Sequence, residues 1–490
     1  MTATESEPGA GTGTIGLKAN AISLGGDFIF SIANVAPSSS VAFTLALLVS
    51  FTGTASPLAV LIVGIAMFLA SMGYSSLNRW RASAGAPYVW VGEAVSATVG
   101  VGTGLLNALV STLANVGNIT LAGAYLLFVI SPSNTFSKPV TWVVAAVIMG
   151  VLAYMAVRGI RPSAWLQTAF VVIEYVAVIC FVILALIHEA SGKGGATLPS
   201  LRDFTLSGTV GGIGGFRGLA EAAVVCGFLY LGWEATAVLA EESTNRRINP
   251  GRAMMMGTGF LTVWYTFLIV VFQGVSSQKD VLAHGTDVLA YAGTLLVPGI
   301  LGRLLPLAVL IAVLGTSQTQ MIEASRVLYA MSRDHLAPKL FGLIHRAHQT
   351  PWAGLIVLAV IPPLVLIPYL MSASANTAIG YAISADGMIG LFMYFVIVCA
   401  SVWFYRSQLS SGRALLIQGV LPLIGGLFMG VIFFYGLTTQ AAAVALVAIG
   451  GVVLCYLVAI VIRLTRQDSP FFASARQPGR RPSASLPRRR

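Results

Sequence analysis

The stretch Ser31-Ile-Ala-Asn-Val-Ala-Pro-Ser-Ser-Ser40 interrupts a long apolar segment near the start of the chain. The segment runs from about residue 20 to residue 50, more than the roughly 20 apolar residues that a membrane-spanning helix requires. Pro37 lacks a backbone N–H and clashes with the preceding turn of a helix, and small hydroxyl and amide side chains surround it. The stretch therefore predicts a membrane-spanning helix that is broken near its middle.

The composition of the whole chain supports a membrane environment. Hydrophobic residues make up 57% of the 490 residues and charged residues only 9%, whereas a soluble protein carries about a quarter charged residues. Because lipid cannot satisfy backbone polar groups, the spans must be helices or strands of a closed barrel. Apolar runs such as Val140–Val157 and Leu415–Leu437 lack the period-two alternation of barrel strands. The chain is therefore predicted to be an all-α integral membrane protein.

Hydropathy and loop charge together predict about twelve spans, with both termini cytoplasmic, in the cell inner membrane. Most of the net charge of +11 lies in alternate short loops, as the positive-inside rule requires, which argues against a nucleic-acid partner. Residues 1–19 predict a disordered cytoplasmic arm without a signal peptide, and residues 463–490 predict a basic cytoplasmic tail facing anionic lipid. The spans are predicted at about residues 20–50, 57–76, 97–129, 139–157, 164–187, 217–243, 253–274, 304–331, 352–370, 382–405, 414–436 and 440–462.

A second break is predicted in the sixth span, at Gly227-Phe-Leu-Tyr-Leu-Gly-Trp-Glu234. Breaks at corresponding positions of two halves of a chain mark the binding site of a transporter, although a proline kink and a packing glycine are each common alone. The five-span offset favours a binding site, in which half-helix N-termini offer free N–H groups to a substrate carboxylate. The residues predicted to contact substrate are Ser31, Ala33, Asn34, Val35, Ala36, Pro37, Ser38, Phe228, Tyr230, Leu231, Gly232 and Trp233.

Ionisable groups inside apolar spans cost about 2.5–3.5 kcal/mol on insertion scales, so each is a functional candidate. Glu174 has no basic residue within two turns, so it is predicted either to exchange a proton or to make a packing hydrogen bond. Asp27 is expected to bond a hydroxyl or backbone N–H, or to attract a cationic substrate. Glu234 is expected to face the second break. Glu174, Glu234 and Asp27 are the predicted proton-coupling groups, and Asp386 is left without a role.

Other acids lie near the predicted cytoplasmic ends of the spans. Glu241 and Glu242 are expected to form salt bridges with Arg326 or Arg79, as an inner gate or a structural clamp. Glu323 is expected to have a local or loop partner, because it lies one turn before Arg326.

Three segments resemble the amino acid–polyamine–organocation (APC) superfamily. Tyr230–Arg252 contains Gly-Trp-Glu, Ala-Glu-Glu and Asn-Pro-Gly-Arg, Ala324–Pro338 reads ASRVLYAMSRDHLAP, and Ala84–Trp90 reads AGAPYVW. The resemblance implies a leucine-transporter-like fold of 12 helices with a 5+5 inverted repeat. The implied parts are a first repeat at residues 20–187, a second at 217–405, and two further helices at 414–462.

The same resemblance implies transport of amino acids or related amines, commonly with protons. By this resemblance Phe228 matches an aromatic residue that covers the substrate, and Glu174 lies where several proton-coupled relatives carry a lysine. Many members have a Gly-Ser/Ala-Gly run at the first break that holds the substrate carboxylate. Ala33–Ser38 lacks that run, which keeps decarboxylated amines and polyamines among the expected substrates.

The competing hypotheses are a proton-coupled symporter, an antiporter that exchanges two such solutes, and a membrane sensor or enzyme. An enzyme needs a nucleophile–base pair or a metal cluster, and none is visible, so no cofactor or metal is expected. The Gly-rich stretch 208–218 is interpreted as a flexible helix entry, since it lacks the Lys-Ser/Thr ending of a phosphate-binding loop. The five histidines are all expected in loops, and they are His188, His284, His335, His345 and His348.

Overall fold

The computed structural model describes residues 16–131, 137–205, 215–367 and 375–475. Most of the predicted N-terminal arm and C-terminal tail, and most of the Gly-rich stretch, lie outside the described residues. Within them the regular elements are helices, together with one isolated parallel β-bridge between Ile22 and Ser243. The prediction of an all-helical chain is thus confirmed for the part that is described.

The α-helices of six or more residues are numbered α1 to α17 in chain order. They are α1 Leu24–Ala33, α2 Pro37–Thr52, α3 Ser56–Trp80, α4 Ala86–Ala94, α5 Ala97–Ile130, α6 Lys138–Val157, α7 Ile160–Ala190, α8 Phe216–Leu229, α9 Asn249–Gly274, α10 Gln278–His284, α11 Val288–Leu296, α12 Leu304–Arg333, α13 Trp352–Val365, α14 Ala375–Tyr405, α15 Leu421–Thr439, α16 Ala442–Thr465 and α17 Pro470–Ala475.

The predicted break in the first span is present between α1 and α2. Ala36 has a φ of 46°, in the left-handed region, which few residues other than glycine adopt. Pro37 is the first residue of α2, where its missing N–H removes no helical hydrogen bond. Proline therefore starts a new helix after a sharp change of direction.

The sixth span differs from the prediction after its first half. Helix α8 ends at Leu229, and turns with a short 3₁₀ segment continue to residue 248 instead of a helix through residue 243. The backbone of this irregular segment pairs with the chain before α1: Glu242 O accepts from Ala21 N at 2.7 Å, and Thr244 N donates to Ile22 O at 2.8 Å. Polar backbone is tolerated at such depth only where protein satisfies it, and these bonds do so.

Nine helical stretches among the described residues are long and apolar enough to cross a membrane, and the first of them, Leu24–Trp80, contains α1, α2 and α3. A helix lies within each of the predicted ranges, but in the sixth it covers only the first half, and residues 368–370 of the ninth lie outside the described residues. Two histidines were wrongly expected in loops: His188 belongs to α7, which extends past residue 187, and His284 ends the short helix α10. Both helices continue where the sequence lacks a strong hydrophobic signal.

The helices form a buried interior and an apolar exterior. Helix α3 packs against α9, α5 packs against α12, and α15 and α16 pack on α14. Helix α16 exposes large apolar side chains, including Leu446 at 69% and Leu454 at 59%. Apolar surface of this extent is unfavourable in water and marks a membrane surface. Lipid therefore surrounds the bundle, and the polar groups lie inside it.

Candidate functional site

The two helix breaks are in direct contact. The Asn34 side-chain amide donates to the Gly232 carbonyl at 2.9 Å, and the Ser31 hydroxyl donates to the Trp233 carbonyl at 2.8 Å. Gly232 has a φ of 111°, and a Cβ atom there would lie 2.7 Å from the Asn34 amide nitrogen. Position 232 therefore requires glycine both for its backbone conformation and for the close approach of the two segments.

Carbonyl groups left unpaired by the first break are satisfied by hydroxyl groups of the chain. The Val35 carbonyl accepts from the Ser40 hydroxyl at 2.6 Å and from the Tyr265 hydroxyl at 3.1 Å. The Asn34 carbonyl accepts from the Thr316 hydroxyl on α12. Buried carbonyls need such partners, so these hydroxyls explain why a broken helix is stable in the interior.

The N-terminus of α2 holds a carboxylate of the chain itself. Glu174 on α7 is 2% exposed and accepts from the Ser38 backbone N–H at 2.9 Å and from the Ser38 hydroxyl at 2.8 Å. The sequence predicted free N–H groups for a substrate carboxylate at this helix start. That prediction is wrong for Ser38, because Glu174 on another helix already occupies its N–H.

Two further carboxylates meet at the breaks. Glu234 accepts from the Tyr394 hydroxyl at 2.6 Å, as expected for a group that faces the second break. Glu323 accepts from the side-chain amides of Asn34 at 3.1 Å and Asn107 at 2.7 Å, and it lies within electrostatic range of Glu234. The expectation of a local partner for Glu323 was wrong, since the rotation of α12 turns this side chain towards α1 and α5.

Aromatic rings surround this pair of acids. Trp233 stacks on Tyr394 with ring centroids 5.4 Å apart, and Tyr74 meets Trp233 at 4.8 Å. Within the described part of the chain, the Trp233 indole N–H and the Tyr74 hydroxyl are buried without a hydrogen-bond partner, which costs about 1–3 kcal/mol each. Tyr74 also lies within electrostatic range of both carboxylates. The acid pair, Glu234 and Glu323, thus has polar groups beside it that a ligand would satisfy.

The other predicted substrate contacts lie on the surfaces between helices. Phe228 is 8% exposed and meets Phe43 of α2 edge to face at 5.8 Å. The Tyr230 hydroxyl donates to a carbonyl of α3 at 3.0 Å. Leu231 packs closely on Gly390 of α14: a Cβ atom added at Gly390 would lie 2.3 Å from the Cδ1 atom of Leu231. The remaining predicted contacts, Ala33, Val35, Ala36 and Pro37, are buried at the first break.

Asp27 on α1 bonds a hydroxyl, which was one of the expected alternatives. The Ser243 hydroxyl donates to one carboxyl oxygen of Asp27 at 2.7 Å, while the other oxygen is buried and has no partner among the described residues. Asp386 on α14 is 1% exposed, and neither of its oxygens has a partner in the described part of the chain. Among the described residues, neither Asp27 nor Asp386 is hydrogen-bonded to Glu234 or Glu323.

Two ion pairs join α12 to the irregular segment after α8. Arg326 bonds Glu242 at 2.9 Å with both side chains almost fully buried, as the sequence led us to expect. Glu241 pairs with Arg333 at 2.9 Å, not with Arg326 or Arg79, and this pair is 21% and 44% exposed.

The apolar helices that are long enough to cross a membrane place the chain in the class of multi-pass membrane proteins. The particular family follows from the sequence: residues 26–469 match the model described as amino acid permease. The chain belongs to the amino acid permease family. Its relatives are transporters, and the resemblance to the APC superfamily seen in the sequence is confirmed.

Three relatives illustrate the range of the family. The low-affinity putrescine importer PlaP of Escherichia coli (strain K12) is 27% identical over 318 residues, which are 64% of this chain and 67% of PlaP. The lysine-specific permease LysP of the same strain is 26% identical over 310 residues, 60% of each protein. The branched-chain amino acid permease BcaP of Bacillus subtilis (strain 168) is 26% identical over 215 residues, 43% of this chain and 42% of BcaP.

Proposed function

We propose that the protein is a proton-coupled symporter of amino acids or related amines, and that its substrate binds between the breaks of the first and sixth spans. The proposal includes twelve spans in two inverted repeats of five helices plus two, cytoplasmic termini, and the cell inner membrane. The observation that carries the binding site is the direct bonding of the two breaks beside a buried pair of acids. The names of the relatives support a small amine-bearing substrate.

The substrate is proposed to contact residues 33–38 and 228–233. Its ammonium group faces an aromatic ring, Phe228 or Trp233, since a ring face attracts a desolvated cation by about 2 kcal/mol or more. Trp233 is the better supported of the two, because its ring lies beside Tyr394, whose hydroxyl bonds Glu234. The binding groups thus combine negative charge with aromatic surface.

Glu174 is proposed as the group that changes protonation during transport, with Glu234 and Asp27 as further coupling groups. As a carboxylate Glu174 makes two hydrogen bonds to Ser38, and bonds to a charged acceptor are about twice as strong as neutral ones. A proton that neutralises Glu174 would weaken the attachment of α7 to α2. Proton uptake would in this way alter the contact between two helices at the break.

The coupling proposal is tested in proteoliposomes with radiolabelled putrescine and lysine under an inward proton gradient. Glu174→Gln resembles the protonated form, so we expect it to retain exchange of labelled for unlabelled substrate and to lose gradient-driven accumulation. Glu221→Gln is the matched control, because Glu221 is a buried acid on α8 that pairs with Arg217. It should accumulate substrate normally.

Two results would count against the proposal. If Glu174→Gln still concentrates substrate in response to the gradient, Glu174 is structural and coupling resides elsewhere. If the unmodified protein accumulates label only when the vesicles contain a second amine, and ignores the gradient, the protein is an antiporter.

A further inference from the structure

The start of α2 is a ready-made site for an anion. Pro37 has no N–H, and the Ser40 N–H donates to the Ala36 carbonyl at 3.0 Å, so the first turn leaves the N–H groups of Ser38 and Ser39 without an acceptor inside the helix. N–H groups at a helix N-terminus, aided by the helix dipole, favour a negatively charged ligand. A substrate carboxylate bound at the first break would use these groups.

Glu174 occupies this position from a neighbouring helix. Its Oε1 atom accepts both the N–H and the hydroxyl of Ser38, at 2.9 and 2.8 Å, and only 2% of the residue is exposed. A substrate carboxylate would have to displace this side chain and leave its charge buried without these donors. The substrate carboxylate would also lie close to the carboxylate of Glu174, and two like charges at one site disfavour the charged form of each group.

Two other buried acids at the breaks, Glu234 and Glu323, favour a cation instead of an anion. Glu234 and Glu323 receive hydrogen bonds from neutral groups, namely the amides of Asn34 and Asn107 and the hydroxyl of Tyr394. The described partners of these two acids thus contribute no positive charge. The Tyr74 hydroxyl is buried beside both acids and has no partner among the residues that the structure describes. As an acceptor, it can receive a hydrogen bond from an ammonium group.

We infer that Glu174 is a specificity-determining residue whose side chain stands where a substrate carboxylate would bind, so that the site selects cationic amines over the corresponding amino acids. The inference rests on the proposed function and narrows its substrate class. A diamine suits the arrangement, because it brings positive charge to the acid pair and no carboxylate to α2. An amino acid of the same length brings a carboxylate as well, and Glu174 already takes the Ser38 N–H that this carboxylate would use.

The test uses pairs of ligands that differ only by an α-carboxylate: cadaverine with lysine, and putrescine with ornithine. Dissociation constants are measured by isothermal titration calorimetry on the purified protein. We expect the unmodified protein to bind each diamine at least tenfold more tightly than its amino acid. Glu174→Ala should lower that ratio at least tenfold, chiefly by improved binding of the amino acid to the freed Ser38 N–H.

Two variants are the controls. Glu174→Gln should keep the preference for diamines, because its amide oxygen still accepts from Ser38 and fills the same place. Glu221→Ala should keep it as well, because that acid lies outside the breaks. If Glu174→Ala does not fold, the comparison of each diamine with its amino acid on the unmodified protein still decides, because equal binding of the two overturns the inference.

The outcomes separate this inference from the proposed function. If lysine binds the unmodified protein as tightly as cadaverine does, the inference is overturned, while the proposed function as a permease of amines or amino acids stands. A Glu174→Ala variant with an unchanged ratio also overturns it. If neither member of either pair binds, and transport of both is absent, the proposed function itself fails.

Discussion

Breaking the buried ion pair should destabilise the protein far more than breaking the exposed pair beside it. Glu242 bonds Arg326 through two contacts, at 2.9 and 3.3 Å, and the two side chains are 0% and 1% exposed. In Glu242→Leu the guanidinium keeps only a hydroxyl at 3.2 Å and a carbonyl at 3.5 Å, from Ser325 and Ile322. Removing one partner of a buried pair costs about 3–5 kcal/mol, because the other charge stays buried without compensation.

The measurement is thermal unfolding of the purified variants in one detergent. Glu241→Leu is the matched control, since it breaks the partly exposed pair with Arg333 and one hydrogen bond from the Ala84 N–H at 3.0 Å. It should cost about 1–2 kcal/mol. The double variant Glu242→Leu/Arg326→Met should recover most of the lost Tm, because no unpaired charge remains. Equal losses from Glu241→Leu and Glu242→Leu, or a double variant as unstable as the sum of the singles, would refute the reasoning.

Three further predictions concern the breaks and the topology. Gly232→Ala should lower Tm and reduce substrate affinity at least tenfold, because alanine at this φ is strained by on the order of 1–3 kcal/mol and its Cβ displaces the Asn34 amide. Normal binding by the variant would show that the contact between Asn34 and Gly232 is dispensable. Phe228→Ala should weaken substrate binding roughly tenfold, about 1.4 kcal/mol, and the Phe228→Trp variant should bind substrate better than the Phe228→Leu variant. If Phe228→Leu binds substrate as tightly as the unmodified protein, a cation–π contact at this position is excluded. A cysteine at Lys193 should react with an impermeant thiol reagent on intact cells and one at Arg247 should not, and the reverse result would overturn the twelve-span topology.

The breaks were predictable because local chemistry encodes them. Proline removes a donor wherever it lies, and Gly232 tolerates a φ that other residues resist. Both signals are present in a few consecutive residues. The irregular chain after Leu229 was not predictable in the same way, because its composition suits a helix and its backbone is held by bonds to residues 21 and 22, more than 200 positions away.

The partners of the buried acids were even less accessible from the sequence. Glu174 meets Ser38 across 136 positions, and Glu323 meets Asn107 across 216. Such contacts depend on how each helix is rotated about its axis, which nearly uniform apolar sequences specify weakly. The one available signal was the presence of amide side chains such as Asn107 within an apolar span, since a buried polar group requires a partner.

Helices α1 and α2 are joined by Asn34, Val35 and Ala36, of which Ala36 has a left-handed backbone conformation. On one side of Ala36 lies the Asn34 amide, which places one N–H on the Gly232 carbonyl and the other on Glu323. A tilt of α1 that stretches the first bond also withdraws a donor from an acid. We therefore expect the tilt of α1 to depend on whether a cation lies beside Glu323, because the cation would replace the stabilisation that the Asn34 amide gives to that acid.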